Sequence, residues 1–324
     1  MEARLDFFGV GVAVDADGEL AEWIRGDFRK YVSTAAGKPD LHFRLKYSKP
    51  EYSNLPPLAA SKYHDDYIVY DSPNIRLIDF FSEALAVYRP GEQTVEITSQ
   101  SKEKLYEVFQ LSFESLLGEQ LDRRGIHRIH CLGLEKDGKA AIILLPPGGG
   151  KTTLALRFLE NGGAGVLCED MCVKTKNRLV GLHLPFKVRD ISGRYPGRII
   201  RRNGKPYKTL IDAADLKQPT EARPAAVVLG RRTLTWDSMI KPVSRRRLLL
   251  PMFKSMVLGL ELQQSLAYFL LRDYKDGFSK AGVGLSRIKA MLSILYGSRT
   301  YEFHIGLDAD KNYKVLRDFV EGLR

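Results

Sequence analysis

Residues 140–153 read Ala140-Ala141-Ile142-Ile143-Leu144-Leu145-Pro146-Pro147-Gly148-Gly149-Gly150-Lys151-Thr152-Thr153. The apolar run at the start has the length of a buried strand, and the residues after Thr153 repeat at helical spacing as far as Gly162-Gly163. The order is therefore strand, glycine-rich turn and helix. This order predicts an α/β fold in which the turn presents its backbone to a ligand.

The chemistry of the turn suits a chain of phosphates. Glycines leave room for backbone N–H groups to surround an anion, and the helix that follows directs its positive dipole end at the same place. Lys151 adds a mobile positive charge, and the Thr152 hydroxyl is a ligand for Mg²⁺. We therefore predict that a nucleotide binds at a set of six residues: Gly148, Gly149, Gly150, Lys151, Thr152 and Thr153.

The loop departs from the usual G-x-x-x-x-G-K-[ST] pattern at its start. Leu145 stands where the pattern has glycine, and Pro146 and Pro147 each lack a backbone N–H donor. The alternative interpretation is a glycine-rich turn with an incidental Lys-Thr. The buried strand before the turn and the helix after it favour phosphate binding.

Two acids follow the next strand of the pattern. Val166-Leu167-Cys168 ends in Glu169 and Asp170. In a parallel sheet the carboxyl ends of the strands meet the helix N-termini along one edge, which would place these acids near the γ-phosphate. One acid then serves as a general base and the other as a metal ligand. The alternative is a helix cap or a solvated turn.

Residues 130–173 resemble the catalytic core of HPr kinase/phosphorylase. That family has a strand with His-Gly, a turn, a strand, a GxxGxGKS loop, a helix ending in glycine, and a strand ending in Ala-Asp-Asp. Here the corresponding residues are His130, Lys151-Thr152 and Cys168-Glu169-Asp170. The resemblance implies a P-loop-containing core of the HPr kinase/PEP carboxykinase type.

The resemblance also implies roles for individual residues. Lys151 and Thr152 would bind phosphate and Mg²⁺, and Glu169 would take the place of the family's first aspartate, the proposed general base. Asp170 would take the place of the second aspartate, and His130 would support that site. Our prediction for the metal ligands is Thr152 with Asp170. The family's second glycine-rich signature is not evident, and the N-terminal segment is unlike that of the bifunctional enzyme. We therefore expect a divergent member whose phosphoryl acceptor is not HPr.

The domain organisation follows from a change of pattern. Residues 1–115 predict a smaller N-terminal α+β domain, in which residues 41–47 alternate as a half-buried strand. Residues 102–123 predict one helix with a continuous apolar face. Residues 116–324 predict the nucleotide-binding domain. Residues 126–134 predict one strand, and residues 255–274 predict one long, mostly apolar helix.

Composition restricts the setting. The chain has 324 residues, a net charge of +11 and three cysteines. No apolar run approaches the length that spans a bilayer, and the N-terminus lacks the pattern of a signal peptide. An odd, low cysteine count is typical of a reducing compartment, so we predict a cytoplasmic protein. Cys168 and Cys172 have no His or Cys cluster nearby in the sequence, and we expect them to be core thiols.

Three functions remain open at this point. The first is an ATP- and Mg²⁺-dependent kinase that phosphorylates a hydroxyl of a protein, peptide or small molecule, with a possible homo-oligomer allowed by the resemblance. The second is an ATPase or GTPase switch, or an accessory protein of a peptide-modification system. The third is a non-enzymatic binder of an acidic partner through the basic second half. Nucleic acid ranks last, because Arg245-Arg246-Arg247 has no interleaved aromatic residues.

Overall fold

The structure is a computed structural model, and it describes residues 2–35, 37–146, 148–188, 197–202, 205–211, 218–258 and 274–323. Helices and strands occur throughout, so the chain is a mixed α/β protein as predicted. The chain divides into two compact units. Unit 1 comprises Met1–Leu121, Lys187–Asp212 and Gln263–Lys280, and unit 2 comprises Asp122–Phe186, Ala213–Leu262 and Ala281–Arg324. The boundary between residues 115 and 116 stays a prediction.

Unit 1 contains an eight-stranded sheet with the order β1-β2-β3-β8-β7-β6-β5-β4. Its strands are β1 (Glu2–Phe7), β2 (Val10–Asp15), β3 (Leu41–Tyr47), β4 (Ala60–His64), β5 (Tyr67–Asp71), β6 (Arg76–Asp79), β7 (Ala84–Arg89) and β8 (Thr94–Ser99). A three-stranded sheet of order β15-β17-β16 is formed by β15 (Phe186–Val188), β16 (Arg198–Arg202) and β17 (Lys205–Ile211).

The helices of the chain have the following bounds. They are α1 (Gly18–Asp27), a 3₁₀ turn (Arg29–Tyr31), α2 (Lys102–Arg123), α3 (Lys151–Asn161), α4 (Arg246–Met252), a π-helical turn (Phe253–Leu258), α5 (Tyr274–Gly297) and α6 (Ala309–Glu321). Among the described residues, no helix is long and apolar enough to cross a membrane.

The core of unit 1 is aromatic. Phe43 lies on the buried face of β3, where the alternation of buried and exposed residues confirms the predicted half-buried strand. Its ring packs edge-on against Phe109 of α2 at 5.2 Å, and Phe7 packs against Phe113 at 5.0 Å. The predicted helix at residues 102–123 is confirmed, and its apolar face covers this sheet because its large side chains recur every three or four residues.

Unit 2 contains a nine-stranded sheet with the central order β12-β10-β11-β18-β14-β13-β9, while β20 pairs with β18 and β19 pairs with β20. The strands are β9 (His127–His130), β10 (Leu132–Lys136), β11 (Lys139–Leu144), β12 (Gly165–Cys168), β13 (Met171–Lys174), β14 (Leu179–Gly181), β18 (Glu221–Arg232), β19 (Met239–Pro242) and β20 (Arg299–Ile305).

The sheet of unit 2 is mixed, but three strands end at the same edge. β10 is antiparallel to both β11 and β12, so these two run in the same direction with β10 between them. β18 runs parallel to β11 on its other side. The carboxyl ends of β11, β12 and β18 therefore share one edge, as the sequence required for the phosphate loop and the acids.

Two sequence predictions differ from the structure or extend beyond it. The predicted strand at residues 126–134 was wrong, because the chain breaks at Cys131: β9 pairs with β13, and β10 pairs with β11 and β12. The N–H of Cys131 donates to the carbonyl of Asp170 at 3.1 Å at this change of partner. Of the predicted helix at residues 255–274, residues 259–273 lie outside the described residues, and its first residues belong to the π-helical turn.

Candidate functional site

The turn between β11 and α3 needs a glycine at each of its three positions. Gly148 has φ of 72° and Gly150 has φ of 92°, both in the left-handed region. An L side chain there costs about 1–2 kcal/mol. Gly149 donates its N–H to the carbonyl of Pro146 at 2.8 Å, and a Cβ at Gly149 would lie 2.7 Å from that oxygen. Pro147 lies outside the described residues.

The turn is open, and the helix behind it is uncapped. A Cβ at Gly148 or Gly150 would meet no atom within 4 Å. Gly150 is the N-cap of α3, and among the described residues no side chain caps it. The first N–H groups of a helix have no intrahelical partners. The amide hydrogens of Lys151, Thr152 and Thr153 therefore lie at the positive end of α3, next to open space, as an anion site requires.

The departure at Leu145 has a packing reason. Leu145 is buried. A Cβ at Gly230 would lie only 2.1 Å from Cδ2 of Leu145, which is too close for both to be present. Because Gly230 of β18 lacks a side chain, a leucine fits at the start of the loop. The large residue at this position is therefore accommodated by the neighbouring strand, and the glycines that shape the turn are unaffected.

Lys151, His130 and Asp170 form a network in front of the loop. The Nζ atom of Lys151 contacts Nε2 of His130 and lies 3.5 Å from Oδ1 of Asp170. Nδ1 of His130 lies 3.3 Å from the same carboxylate oxygen. An ammonium group can only donate, so Nε2 accepts and the imidazole proton of a neutral His130 is on Nδ1, facing Asp170. The histidine thus links the loop lysine to an acid.

Thr152 contacts the other acid. Its hydroxyl donates to Oε1 of Glu169. Glu169 is half-buried, whereas the side chain of Asp170 is 51% exposed. The sequence assigned the metal to Thr152 with Asp170, and the structure places the Thr152 hydroxyl against Glu169. A hydroxyl beside a carboxylate supplies the hard oxygen ligands that Mg²⁺ prefers.

The structure therefore brings His130, Lys151, Thr152, Glu169 and Asp170 together at one edge of the unit 2 sheet. Thr153 is exposed in the first turn of α3. The other histidine that precedes the loop belongs to a different cluster. His127 is buried and hydrogen-bonds Asp122 and Ser286, each at 2.8 Å.

Arg232 contacts the loop, although the sequence pattern does not predict it as a site residue. Its guanidinium donates to the carbonyl of Gly148 at 3.3 Å. The contact follows from the parallel pairing of β18 with β11, in which Leu229 lies opposite Leu144, so that the end of β18 extends beside the loop. The signal in the sequence is a pair of arginines directly after a buried strand, but only the strand order shows which loop that strand adjoins.

For the ATP site that the sequence predicts, we expect Arg232→Ala to weaken ATP binding about tenfold, which corresponds to about 1.4 kcal/mol. The substitution removes a positive charge beside the loop and the hydrogen bond that holds Gly148. The measurement is the Kd of ATP by calorimetry. Arg223→Ala is the matched control, because Arg223 is an exposed arginine near the other end of β18. Equal affinities of the two variants would contradict this assignment.

A cavity of about 250 Å³ adjoins the loop. It is lined mainly by apolar side chains of the strand ends and of α4, with polar groups at His130 and Lys254. The hydroxyl of Ser255 holds the carbonyl of His130 at 2.8 Å, which fixes the backbone at the rim. The cavity therefore lies beside the network of Lys151, His130 and Asp170, with which it shares His130.

Comparisons with known proteins add little to the geometry. No protein-family model matches the chain, and no curated protein matches its sequence. A solved structure titled "Structure of the Hpr(Ser) kinase/phosphatase from Coxiella burnetii" is a weak structural neighbour, at 17% identity and a TM-score of 0.21. The match covers 36% of this chain and 70% of that chain. A likeness at this TM-score carries no weight for function.

Proposed function

We propose that the chain is a phosphotransferase that binds ATP at residues 148–153 and transfers the γ-phosphoryl group to a hydroxyl of a protein, peptide or small molecule. One observation carries the proposal. Lys151 and Thr152 lie in the first turn of the helix that follows an open glycine turn. The Thr152 hydroxyl contacts the carboxylate of Glu169, and the Lys151 ammonium group lies beside that of Asp170. Phosphoryl transfer needs this combination of a phosphate cradle, a metal site and a base.

Magnesium fits the residues present. Thr152 and Glu169 would hold the ion, since their oxygens are already in contact. When bound, Mg²⁺ neutralises charge on the β- and γ-phosphates. The cluster thus supports a metal site built on the hydroxyl at the start of α3 and the carboxylate at the end of β12.

Asp170 is the better placed base. Its side chain is 51% exposed and reaches the solvent side of the network, where an acceptor hydroxyl would approach. The acceptor proton passes to the Asp170 carboxylate, the acceptor oxygen bonds to the γ-phosphorus, and ADP leaves. Lys151 neutralises the charge that develops on the transferred group. These roles reverse the sequence assignment, which gave the base to Glu169 and the metal to Asp170.

His130 positions the other groups. It lies between Lys151 and Asp170 and contacts or faces both. A neutral imidazole that accepts from the lysine keeps the ammonium beside the loop until the phosphates replace this partner. We therefore assign His130 to orientation of Lys151 and Asp170.

The acceptor and the setting stay proposals. The apolar cavity of about 250 Å³ beside His130 suits a small side chain or a small molecule that carries the hydroxyl. An acceptor other than HPr and a cytoplasmic location are proposed from the sequence and its resemblance to the family, which also allows a homo-oligomer.

Binding of an acidic partner through the basic residues has less support. Arg231 and Arg247 both pair with the buried carboxylate of Glu302, at 3.1 Å and 2.9 Å. Arg198, within unit 1, pairs with Asp27 and stacks on Trp23 and Tyr106. Three of the arginines that suggested a basic surface thus have structural partners.

The fate of labelled phosphate tests the proposed function. The full chain is incubated with γ-labelled ATP, Mg²⁺ and extract of its source cells, and Asp170→Asn is treated in parallel. We expect label on an acceptor with the wild-type chain and a loss of that label with the variant. Label found only as free phosphate would make the protein a nucleotide hydrolase or switch, and no ATP turnover would overturn the proposal.

A further inference from the structure

Three buried thiols converge behind the candidate site. Cys131 lies between β9 and β10, Cys168 ends β12, and Cys172 belongs to β13. The Sγ atom of Cys131 lies 4.0 Å from that of Cys168 and 3.6 Å from that of Cys172, and all three sulfurs lie within 4.8 Å of one another. The sequence predicts that Cys168 and Cys172 are core thiols, and both are buried as expected. It does not show that Cys131 reaches them, because the break between β9 and β10 brings it there.

The sulfur separations match those of ligands around one metal ion. A thiolate–metal bond is about 2.3 Å long, so two thiolates on one ion lie about 3.8–4.0 Å apart. The measured separations of 3.6 Å and 4.0 Å are within a few tenths of an ångström of this range. An ion can therefore enter between the sulfurs with small side-chain movements and no change of strand pairing.

The backbone leaves room for this cluster. A Cβ at Gly133 would lie 2.9 Å from Sγ of Cys168, so the glycine on β10 makes space for the sulfur. The surrounding side chains are apolar, and Ile129, Ala140 and Leu167 belong to the same buried cluster. The three cysteines are also the only group of three or more His, Cys, Asp or Glu side chains with metal-ligand spacing in the part of the chain that the structure describes.

Metal binding at these sulfurs displaces protons, because the thiolate and not the thiol is the ligand. Hydrogen bonds from Cys168 and Cys172 hold the pKa of the Cys131 thiol below its ordinary value, whereas burial raises the pKa of the Cys168 thiol. An ion that binds all three sulfurs therefore displaces every thiol proton that the cluster holds.

We propose that Cys131, Cys168 and Cys172 bind one Cu(I) ion in a buried three-sulfur site. Soft thiolates select Cu(I), Zn²⁺ or iron–sulfur clusters. Structural Zn²⁺ is almost always four-coordinate, and this cluster supplies three ligands in an apolar core. Cu(I) accepts three sulfurs without a fourth ligand, so it is the ion that the ligand count favours. The proposal does not depend on the proposed phosphotransferase activity.

The site adjoins the acids of the candidate active site. Glu169 and Asp170 lie in the chain between Cys168 and Cys172, and Cys131 donates its N–H to Asp170. An ion that fixes the three sulfurs also fixes both ends of this short segment. A metal bound to the three sulfurs would therefore restrain the position of the two carboxylates.

The test is an anaerobic titration of the full chain with Cu(I) in competition with bicinchoninate. We expect one equivalent of Cu(I) to be retained, and X-ray absorption to report three sulfur neighbours. The variants Cys131→Ser, Cys168→Ser and Cys172→Ser should each weaken Cu(I) binding at least about tenfold. Even the loss of a residue that only contacts a metal ligand typically lowers metal affinity by about this factor. Circular dichroism identifies any variant that does not fold.

The wild-type measurements keep the proposal testable if the variants misfold. Absence of retained Cu(I), fewer than three sulfur neighbours, or nitrogen and oxygen neighbours would overturn it. Preferential binding of Zn²⁺ over Cu(I) would also overturn it. A chain that retains no Cu(I) under anaerobic conditions and forms a disulfide in air would also overturn the proposal. The thiols would then be a redox pair.

Discussion

Replacement of Lys151 by alanine is expected to lower the turnover of ATP about 10²–10³-fold, the cost of removing one donor that stabilises developing charge. Lys151 is the first residue of α3 after the glycine turn, and its ammonium group lies 3.5 Å from the carboxylate of Asp170. In the proposed function this ammonium group neutralises charge on the terminal phosphates. Its loss leaves the charge on the transferred group to Mg²⁺ and the backbone alone. The quantity measured is kcat for ATP turnover at saturating Mg²⁺.

The fold of the Lys151→Ala protein should survive. Lys151 begins α3, where alanine is a good helix residue, and its partners His130 and Asp170 remain close enough to each other to interact. Lys139→Ala is the matched control, because Lys139 begins the same strand β11 at the end away from the loop. A Lys151→Ala protein that melts like the wild type and turns over ATP at its rate would contradict the assignment.

The features that the sequence predicts correctly are encoded over short distances. The apolar run before Pro146 forms β11, and Gly162 ends α3 at the position where the helical spacing stops. Gly148 and Gly150 adopt positive φ, a conformation that glycine populates without strain. The alternation of residues 41–47 forms β3. In each case the local pattern and the final structure favour the same backbone.

The features that the sequence does not predict depend on strand order. β10 enters the sheet between β11 and β12, and no local pattern shows that these strands are separated. Arg232 reaches the loop because β18 is the neighbour of β11. Leu145 fits because Gly230, far away in the chain, lacks a Cβ. Pairing between distant segments decides all three features. The sequence prediction of the edge at which the acids lie depended on an assumed parallel sheet and not on a local pattern.

The cysteine cluster was missed for a related reason. The sequence predicts one continuous strand at residues 126–134, with Cys131 inside it. A single strand would not change its pairing partners at Cys131. The break at Cys131 lets β9 pair with β13 while β10 pairs with β12. Only this division brings the sulfur of Cys131 to the other two.

Substitution of the two acids should separate their roles. Asp170→Asn is expected to lower kcat for phosphoryl transfer about 10²–10⁴-fold, the usual contribution of a general base. The Mg²⁺ concentration for half-maximal activity should stay near that of the wild type. Glu169→Gln should instead raise that concentration at least about tenfold, because a neutral amide replaces a charged ligand beside the Thr152 hydroxyl.

Both substitutions keep the size of the side chain, so a difference between them reports charge and position. Glu169 contacts the hydroxyl at the start of α3, whereas Asp170 faces Lys151 and His130 and is more exposed. Mg²⁺ titrations of kcat on both proteins measure the two effects together. If Glu169→Gln removes turnover at every Mg²⁺ concentration and Asp170→Asn shifts only the Mg²⁺ requirement, Glu169 is the base. The longer side chain must then leave Thr152 to reach the acceptor.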